Sequence, residues 1–239
     1  TKVFKVPITA SGKNLKIAVL ADVHYGSPFI TQNYLAQVFQ KTQKMNPDLI
    51  LFAGDLIDSA LSEKEQNILI KELSYLKAPL GIFAVSGNHE CYAGYEVFLN
   101  TLKKANITVL EDEGVELKSL FLVGRRDLEV KRFGTARKPL DVILKSNLSQ
   151  KPVFVIDHQP KNLEEGVKNN IAIQVSGHTH HGQMFPLNFI TQNIYEISKG
   201  FLQKENSRFY VSSGAGAWGP PLRLFNPPQI VVLEIEFQN

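Results

Sequence analysis

Apolar positions along the chain fall into short β-branched runs, separated by longer stretches where apolar and charged residues recur at helical spacing. Leu15–Ala21, Leu49–Ala53, Gly81–Val85, Pro152–Ile156 and Ile171–Val175 are apolar runs of strand length bounded by Gly, Asp, Asn or Pro, which predicts buried strands. Helices are predicted over Thr31–Lys44, Glu63–Leu76 and Tyr95–Ala105, each with its charges on one face. This alternation is an α/β layout. After Asn106 the helical pattern thins, and short strands take over at Val115–Leu117, Leu120–Val123, Arg208–Ser212 and Ile230–Phe237. A second sheet packed against the first is therefore expected, rather than a single doubly wound sheet. No repeat, low-complexity tract or linker divides the chain, so one domain over residues 1–239 is expected. The stretch SGAGAWGPPLRLFNPP, Ser213 to Pro228, reads as a rigid surface loop between the last two strands.

At 239 residues the chain is long enough for a sizeable core. A net charge of only +3 and the lack of a long basic run give no footprint for specific nucleic-acid binding. The single cysteine, Cys91, excludes an internal disulfide framework and is assigned a packing role. No run approaches the roughly 18 apolar residues of a membrane span, and nothing near the start reads as a secretory signal. A soluble, monomeric domain is the expectation for the chain as given. Because it starts at Thr1 without a methionine, it is read as a processed product or fragment. A membrane tether upstream would make the whole protein membrane-associated; otherwise it is expected in the cytoplasm.

Ligand-type residues recur directly after the predicted strands, where an α/β sheet offers its carboxyl edge. Asp22 and His24 follow the first strand, Gly54 to Asp58 (GDLID) the second, and Gly87 to Glu90 (GNHE) the third. Asp157 to Pro160 (DHQP) and Ser176 to Gln183 (SGHTHHGQ) follow the later two. All six histidines thus lie at strand ends. Any one of these motifs alone is a turn former or helix cap as readily as a ligand; together they favour a shared site. Alternate residues of an extended segment face one side, so Asp22 with His24, and His178 with His180, are each expected to aim two ligands into one place. His181 would then point elsewhere. Oxygen and nitrogen donors without thiolate suit Mn, Fe, Zn or Co.

The ordered set DVH, GDLID, GNHE, DHQP and GHTHHGQ, from about Asp22 to His181, resembles the calcineurin-like metallophosphoesterases. With GQMFP and SSGAGAWGPPLRL it is similar to their bacterial phosphodiesterase branch, whose members often carry membrane-spanning segments ahead of the catalytic domain and some of whose wider relatives cleave a pyrophosphate link in a lipid A precursor. The resemblance implies a four-layer α/β/β/α sandwich of two mixed β-sheets flanked by helices. It implies two divalent ions, with manganese favoured and iron, zinc or cobalt as alternatives. Asp22, His24 and His180 would hold one ion, Asn88, His158 and His178 the other, and Asp55 would bridge them. His89 would lie outside the metal shell, beside the scissile phosphate, as catalytic acid or charge stabiliser. His181 and Asp157 depart from the residues usual at their positions, but neither change removes a ligand.

Two such ions about 3.5–4 Å apart lower the pKa of a bridging water from about 15.7 towards about 7 for in-line attack on phosphorus. Two ions, two aspartates and one hydroxide leave a site charge of about +1, which attracts an anionic ester. Arg125, Arg126 or Arg223 could add a bidentate phosphate contact, although a surface or packing role is favoured for each. Asp58 is open between orienting an imidazole and capping a helix; for His181 the loop role is favoured over a substrate contact. The expected activity is a phosphodiesterase or phosphoanhydride hydrolase. Alternatives are a phosphomonoesterase or phosphoprotein phosphatase of the same fold, or a non-catalytic scaffold. No HExxH motif supports a metallopeptidase. The substrate is expected to be lipid-linked or nucleotide-linked; Met184, Phe185, Phe189, Phe201 and Trp218 near the expected mouth would suit a lipid-bearing one, with core packing the favoured role for them.

Overall fold

The computed structural model describes residues 1–238. The first half runs β1 (Lys2–Thr9), β2 (Leu15–Leu20), α1 (Gln32–Lys44), β3 (Leu49–Ala53), α2 (Glu63–Leu73), β4 (Ile82–Val85), α3 (Asn88–Ala93), α4 (Tyr95–Lys104) and β5 (Thr108–Val109). The second half runs β6 (Glu113–Glu116), β7 (Phe121–Gly124), α5 (Leu140–Leu144), β8 (Val153–Ile156), α6 (Leu163–Lys168), β9 (Ile173–Ser176), α7 (Asn188–Ile194), β10 (Gly200–Lys204), β11 (Ser207–Val211) and β12 (Val231–Gln238). Single 3-10 segments occur at Leu128–Phe133 and His180–Gly182.

Two six-stranded sheets, ordered β1-β12-β2-β3-β4-β5 and β10-β11-β9-β8-β7-β6, stack face to face. Both are mixed. In the first, β2 through β5 are parallel while β12 runs antiparallel to β2; in the second, β7, β8, β9 and β11 are parallel, with β6 and β10 antiparallel at the edges. Strand alternation distributes each apolar run between two cores. Ile17 and Val19 of β2 point inwards to meet Phe154, Ile156, Ile173 and Val175 of the other sheet. Ala18 and Leu20 point outwards onto Leu35 and Phe39 of α1 and Leu69 of α2. A third core packs Phe121, Val123, Val155 and Phe209 beneath Leu140, Ile143 and Val167 of α5 and α6. Helix, sheet, sheet and helix layers result, the α/β/β/α sandwich expected from the resemblance, and strands covered on both faces explain why the runs are uninterrupted.

The predicted helices form within a few residues of their expected limits. Thr31 caps α1, its hydroxyl accepting from Tyr34 N at 3.2 Å. Ser62 and Glu65 form a capping box at α2. The chain also contains elements that the pattern does not reveal. β1 buries only Val6 and Ile8 and carries Pro7, tolerated because the strand lies on a sheet edge. β10 is an edge strand without a fully buried residue. Helices α3, α5, α6 and α7 span five to seven residues each, too short for a period to show.

Candidate metal centre

The strands β2, β3 and β4 of one sheet and β8 and β9 of the other end on a common edge, and the loops leaving them bring the candidate residues together. Asp22 N donates to Gly54 O and His24 N to Asp55 O, both at 3.0 Å, which zips the first two loops. The third loop joins through His89 N, which donates to Asp55 Oδ1 at 2.9 Å. His178 N donates to Asp22 Oδ1 at 2.8 Å, tying the fifth loop to the first. Asp22, His24, Asp55, His178 and His180 all have positive φ. The loops are thus left-handed turns rather than the extended segments expected from the sequence, a clustering of backbone strain typical of functional sites. This corrects the alternation argument. Asp22 and His24 do converge, but His178 and His180 diverge into separate groups because the chain turns at each.

Two motif glycines are set by close approach. A Cβ at Gly87 would lie 2.1 Å from Asp55 Oδ1, and one at Gly54 would lie 2.4 Å from His158 Nδ1. Any larger residue would push a carboxylate or an imidazole out of place.

Side-chain nitrogen and oxygen atoms gather into two separate triads, Asp22 with His24 and His180, and Asp55 with His158 and His178, and a third group, His24 with Asp58 and His89, overlaps the first; within each, one ligand atom per residue lies within 4.8 Å of the others. Asn88 joins the second triad, its Oδ1 2.8 Å from His178 Nδ1 and 3.1 Å from His158 Nε2. Asp55 Oδ2 lies 3.1 Å from His158 Nε2 and 4.0 Å from His24 Nε2, between the triads. Asp22 Oδ2 is buried without a hydrogen-bond partner, and His24 Nε2 faces His180 Nε2 at 2.9 Å. An orphaned carboxylate oxygen and facing imidazoles are what a divalent cation would satisfy, so the residues fit the two ions that the motifs imply.

The surroundings fix the donors. Asp58 Oδ1 lies 2.8 Å from His24 Nδ1 and 3.2 Å from His89 Nδ1. Of its two open roles, Asp58 therefore takes the imidazole-orienting one. His158 Nδ1 donates to Ala53 O at 2.8 Å, leaving Nε2 free for the site. His181 is turned away, with Nδ1 2.9 Å from Ser198 Oγ, and holds its loop. Arg125 is buried against Asp112 and Glu165, and Arg126 meets Glu111. Arg223 donates to the carbonyls of Ser213 and Gly216 and places Nη2 3.2 Å from His180 Nδ1. Asp157 accepts from Arg137 Nη2 at 2.6 Å.

Glu90 is the residue whose role the sequence leaves unread. Its buried carboxylate accepts from Asp55 N at 3.0 Å, Ile57 N at 2.8 Å and Gly87 N at 2.6 Å, so it clamps the GDLID loop to the GNHE loop. The signal is its place at the third helical position of α3, reaching back to Gly87, the residue that caps the helix.

Electrostatics separate the groups. Burial raises Asp22 to about 6, and burial with the neighbouring Asp55 charge raises Glu90 to about 7. Burial, with the positive charge of His158, lowers His178 to about 3. For His89 burial works downwards, but the hydrogen bond to Asp58 and the Asp55 charge carry it up to about 9. Burial pushes the Cys91 thiol up to about 12, so it stays a buried, protonated packing group.

The sequence model of the calcineurin-like phosphoesterase family matches residues 15–182, more than half of the chain. The chain belongs to this family. An uncharacterised metallophosphoesterase of Helicobacter pylori is 34% identical over 229 residues, 95% of this chain and 61% of that protein. The chain thus spans about three-fifths of that relative's length. An Aquifex aeolicus metallophosphoesterase, also uncharacterised, is 34% identical over 94% of this chain and 86% of its own. A zebrafish (Danio rerio) transmembrane protein with a metallophosphoesterase domain is 27% identical over 95% of this chain and 54% of that protein. Among the described residues of this metallophosphoesterase, no helix is long and apolar enough to cross a membrane. Among solved structures, a Thermus thermophilus protein shares the fold with a TM-score of 0.53 at 12% identity, covering 84% of this chain and 90% of its own. Haemophilus influenzae NAD nucleotidase does so at 0.52 and 16%, covering 85% and 45%.

Proposed function

We propose that this metallophosphoesterase is a dinuclear metal-dependent phosphohydrolase that cleaves a phosphodiester or phosphoanhydride bond. The observation that carries the reading is the pair of donor triads, buried except for the half-buried His178, with Asp55 between them. Asp22, His24 and His180 would hold one ion, and Asn88, His158 and His178 the other, with Asp55 shared. The oxygen and nitrogen donor set, without thiolate, favours manganese, with iron, zinc or cobalt as alternatives. When bound, such ions supply Lewis-acid stabilisation of the phosphate and a water of lowered pKa.

The chain's own groups do the rest. Asp58 and Ala53 O hold His24 and His158 in the tautomers that leave Nε2 bare. His89 stands outside both triads with its side chain partly exposed and its pKa raised. Held through Nδ1 by Asp58, it can donate a proton to the departing ester oxygen as the bond to phosphorus breaks. Asp55 accepts from His89 N and so sets where that imidazole starts.

Hydrolysis of an aryl phosphodiester with added Mn²⁺, alongside metal content on the same sample, tests the reading. Activity lost together with metal in Asp55→Ala and Asn88→Ala is the expected result; full activity in either variant rejects the assigned site. Faster turnover of the aryl monoester would reassign the chain as a phosphomonoesterase, and bound metal with no turnover of any ester as a scaffold.

A further inference from the structure

The segment after the histidine motif and the loop before β12 form one apolar lip beside the centre. Phe185, Leu187, Phe189, Ile190 and Ile194 are exposed, and α7, which carries the last three, buries none of its residues. Opposite them Trp218, Leu222, Leu224 and Phe225 are exposed, Phe225 at 84% and Trp218 at 57%. This corrects the core-packing role favoured for Phe185, Phe189 and Trp218. Phe201 lies elsewhere, its ring 5.2 Å from Phe4 and 4.7 Å from Tyr210.

The lip is built rather than loose. The Phe185 ring lies 5.7 Å from Phe189 and 6.3 Å from Phe225, and Gln183 Nε2 donates to Trp218 O and Pro220 O at 2.7 and 2.8 Å. Asn226 Nδ2 donates to His180 O at 2.6 Å, which couples the lip to a residue of the centre. Scattered exposed apolar residues need no explanation, but nine on two adjoining segments do.

Charge narrows the occupant. No Asp or Glu occurs between Glu165 and Glu196 or between Glu205 and Glu234, the stretches that supply the lip. Cations stand at its foot: Lys199 Nζ donates to Asn226 Oδ1 at 2.6 Å, and Lys161 lies 5.9 Å from the Tyr195 ring, itself 5.9 Å from the His178 ring. Apolar tips on segments free of carboxylates, above a foot that carries cations, match the acyl and headgroup layers of an anionic bilayer. Resting on the phosphohydrolase reading, whatever covers the lip must also leave the centre open to an ester; a lipid surface does both, because it covers the lip and carries the ester.

The geometry points to this lip as a docking surface for an anionic lipid–water interface, presenting the centre to phosphate esters borne by lipid. The test is sedimentation of the full chain with vesicles of phosphatidylcholine containing phosphatidylglycerol, in parallel with hydrolysis of a soluble aryl phosphodiester. Phe189→Ser combined with Phe225→Ser removes two exposed rings, and unfolding midpoints check that the fold is unchanged. Withdrawing two rings from the interface is expected to lower vesicle partitioning at least about ten-fold and to leave hydrolysis of the soluble ester as it was. Wild-type chain that stays in the supernatant, or a double variant that sediments equally, overturns the docking surface. So does a dimer, seen by light scattering without vesicles, that the double variant dissociates. Vesicle binding that the double variant loses, with no ester turned over by either protein, supports the docking surface and counts against the phosphohydrolase reading alone.

Discussion

Replacing Glu90 by glutamine isolates the clamp between the two central loops while preserving size. At about pH 8, above the value near 7 to which burial and the Asp55 charge raise it, the wild-type carboxyl is ionised and accepts three backbone N–H groups. Glutamine retains one oxygen. If that oxygen takes the place of Oε2, the bonds from Asp55 and Gly87 survive, but the new NH2 group faces Ile57 N–H across 2.8 Å. The reverse placement strands two donors instead of one. One lost charge-assisted bond and one stranded buried donor cost about 1.5–3 kcal/mol, and removing a buried negative charge beside Asp55 returns part of this. A net loss of about 1–3 kcal/mol is expected. With a slope of about 1–3 kcal/mol per molar for urea, the midpoint should fall by about 1 M at unchanged slope. Metal retained per chain should fall as well, because the loop that carries Asp55 and Asp58 is no longer tied down at Ile57 N. A Glu90→Gln protein with wild-type midpoint and metal content would refute the clamp.

Gly87→Ala places a methyl against Asp55 Oδ1 and is expected to cost about 1–3 kcal/mol as overpacking, together with loss of metal-dependent hydrolysis; calorimetry and the aryl diester assay check both. Arg137→Met leaves the Asp157 carboxylate buried without its ion partner, with an expected loss of about 3–5 kcal/mol, whereas Arg137→Met combined with Asp157→Leu should recover much of it in urea unfolding. For pH dependence, His178 is lowered to about 3, so it stays neutral in the fold while the unfolded chain takes up a proton below about 6.5. Its folded pKa is depressed, so the contribution is full above about pH 6.5 and fades by about 1.4 kcal/mol per pH unit as pH falls towards 3. The stability difference between metal-free wild type and His178→Gln should therefore be flat above about pH 7 and slope below about 6.5; a constant difference down to about pH 5 contradicts it.

Much of this was legible because buried parallel strands announce themselves. The runs at Leu15, Leu49 and Ile171 are apolar on both faces, and each ends where the chain must turn to the carboxyl edge, so ligands follow immediately. Elements that bury little are silent. β1 contributes Val6 and Ile8 alone to the core, and α7 contributes nothing, so neither has a period to read. Within the site, the residues that gather were readable because imidazoles are rare in this chain, and Asp58 was narrowed to two roles. Glu90 and Arg137 escaped for a different reason. Their partners are backbone amides and a residue 20 positions away, contacts that only the folded chain defines. The lip was misjudged because apolar side chains are usually buried, and sequence does not distinguish a covered phenylalanine from one presented to its surroundings.

β12 lies between β1 and β2, parallel to the one and antiparallel to the other. β1 therefore finds no neighbour until β12 has been made, since Lys2 pairs with Val231. Until then β1 waits unpaired, and β2 is the open edge of the first sheet. Contacts of such long sequence separation form slowly and expose strand edges meanwhile, so chaperone dependence during synthesis is the expected biological cost of this insertion.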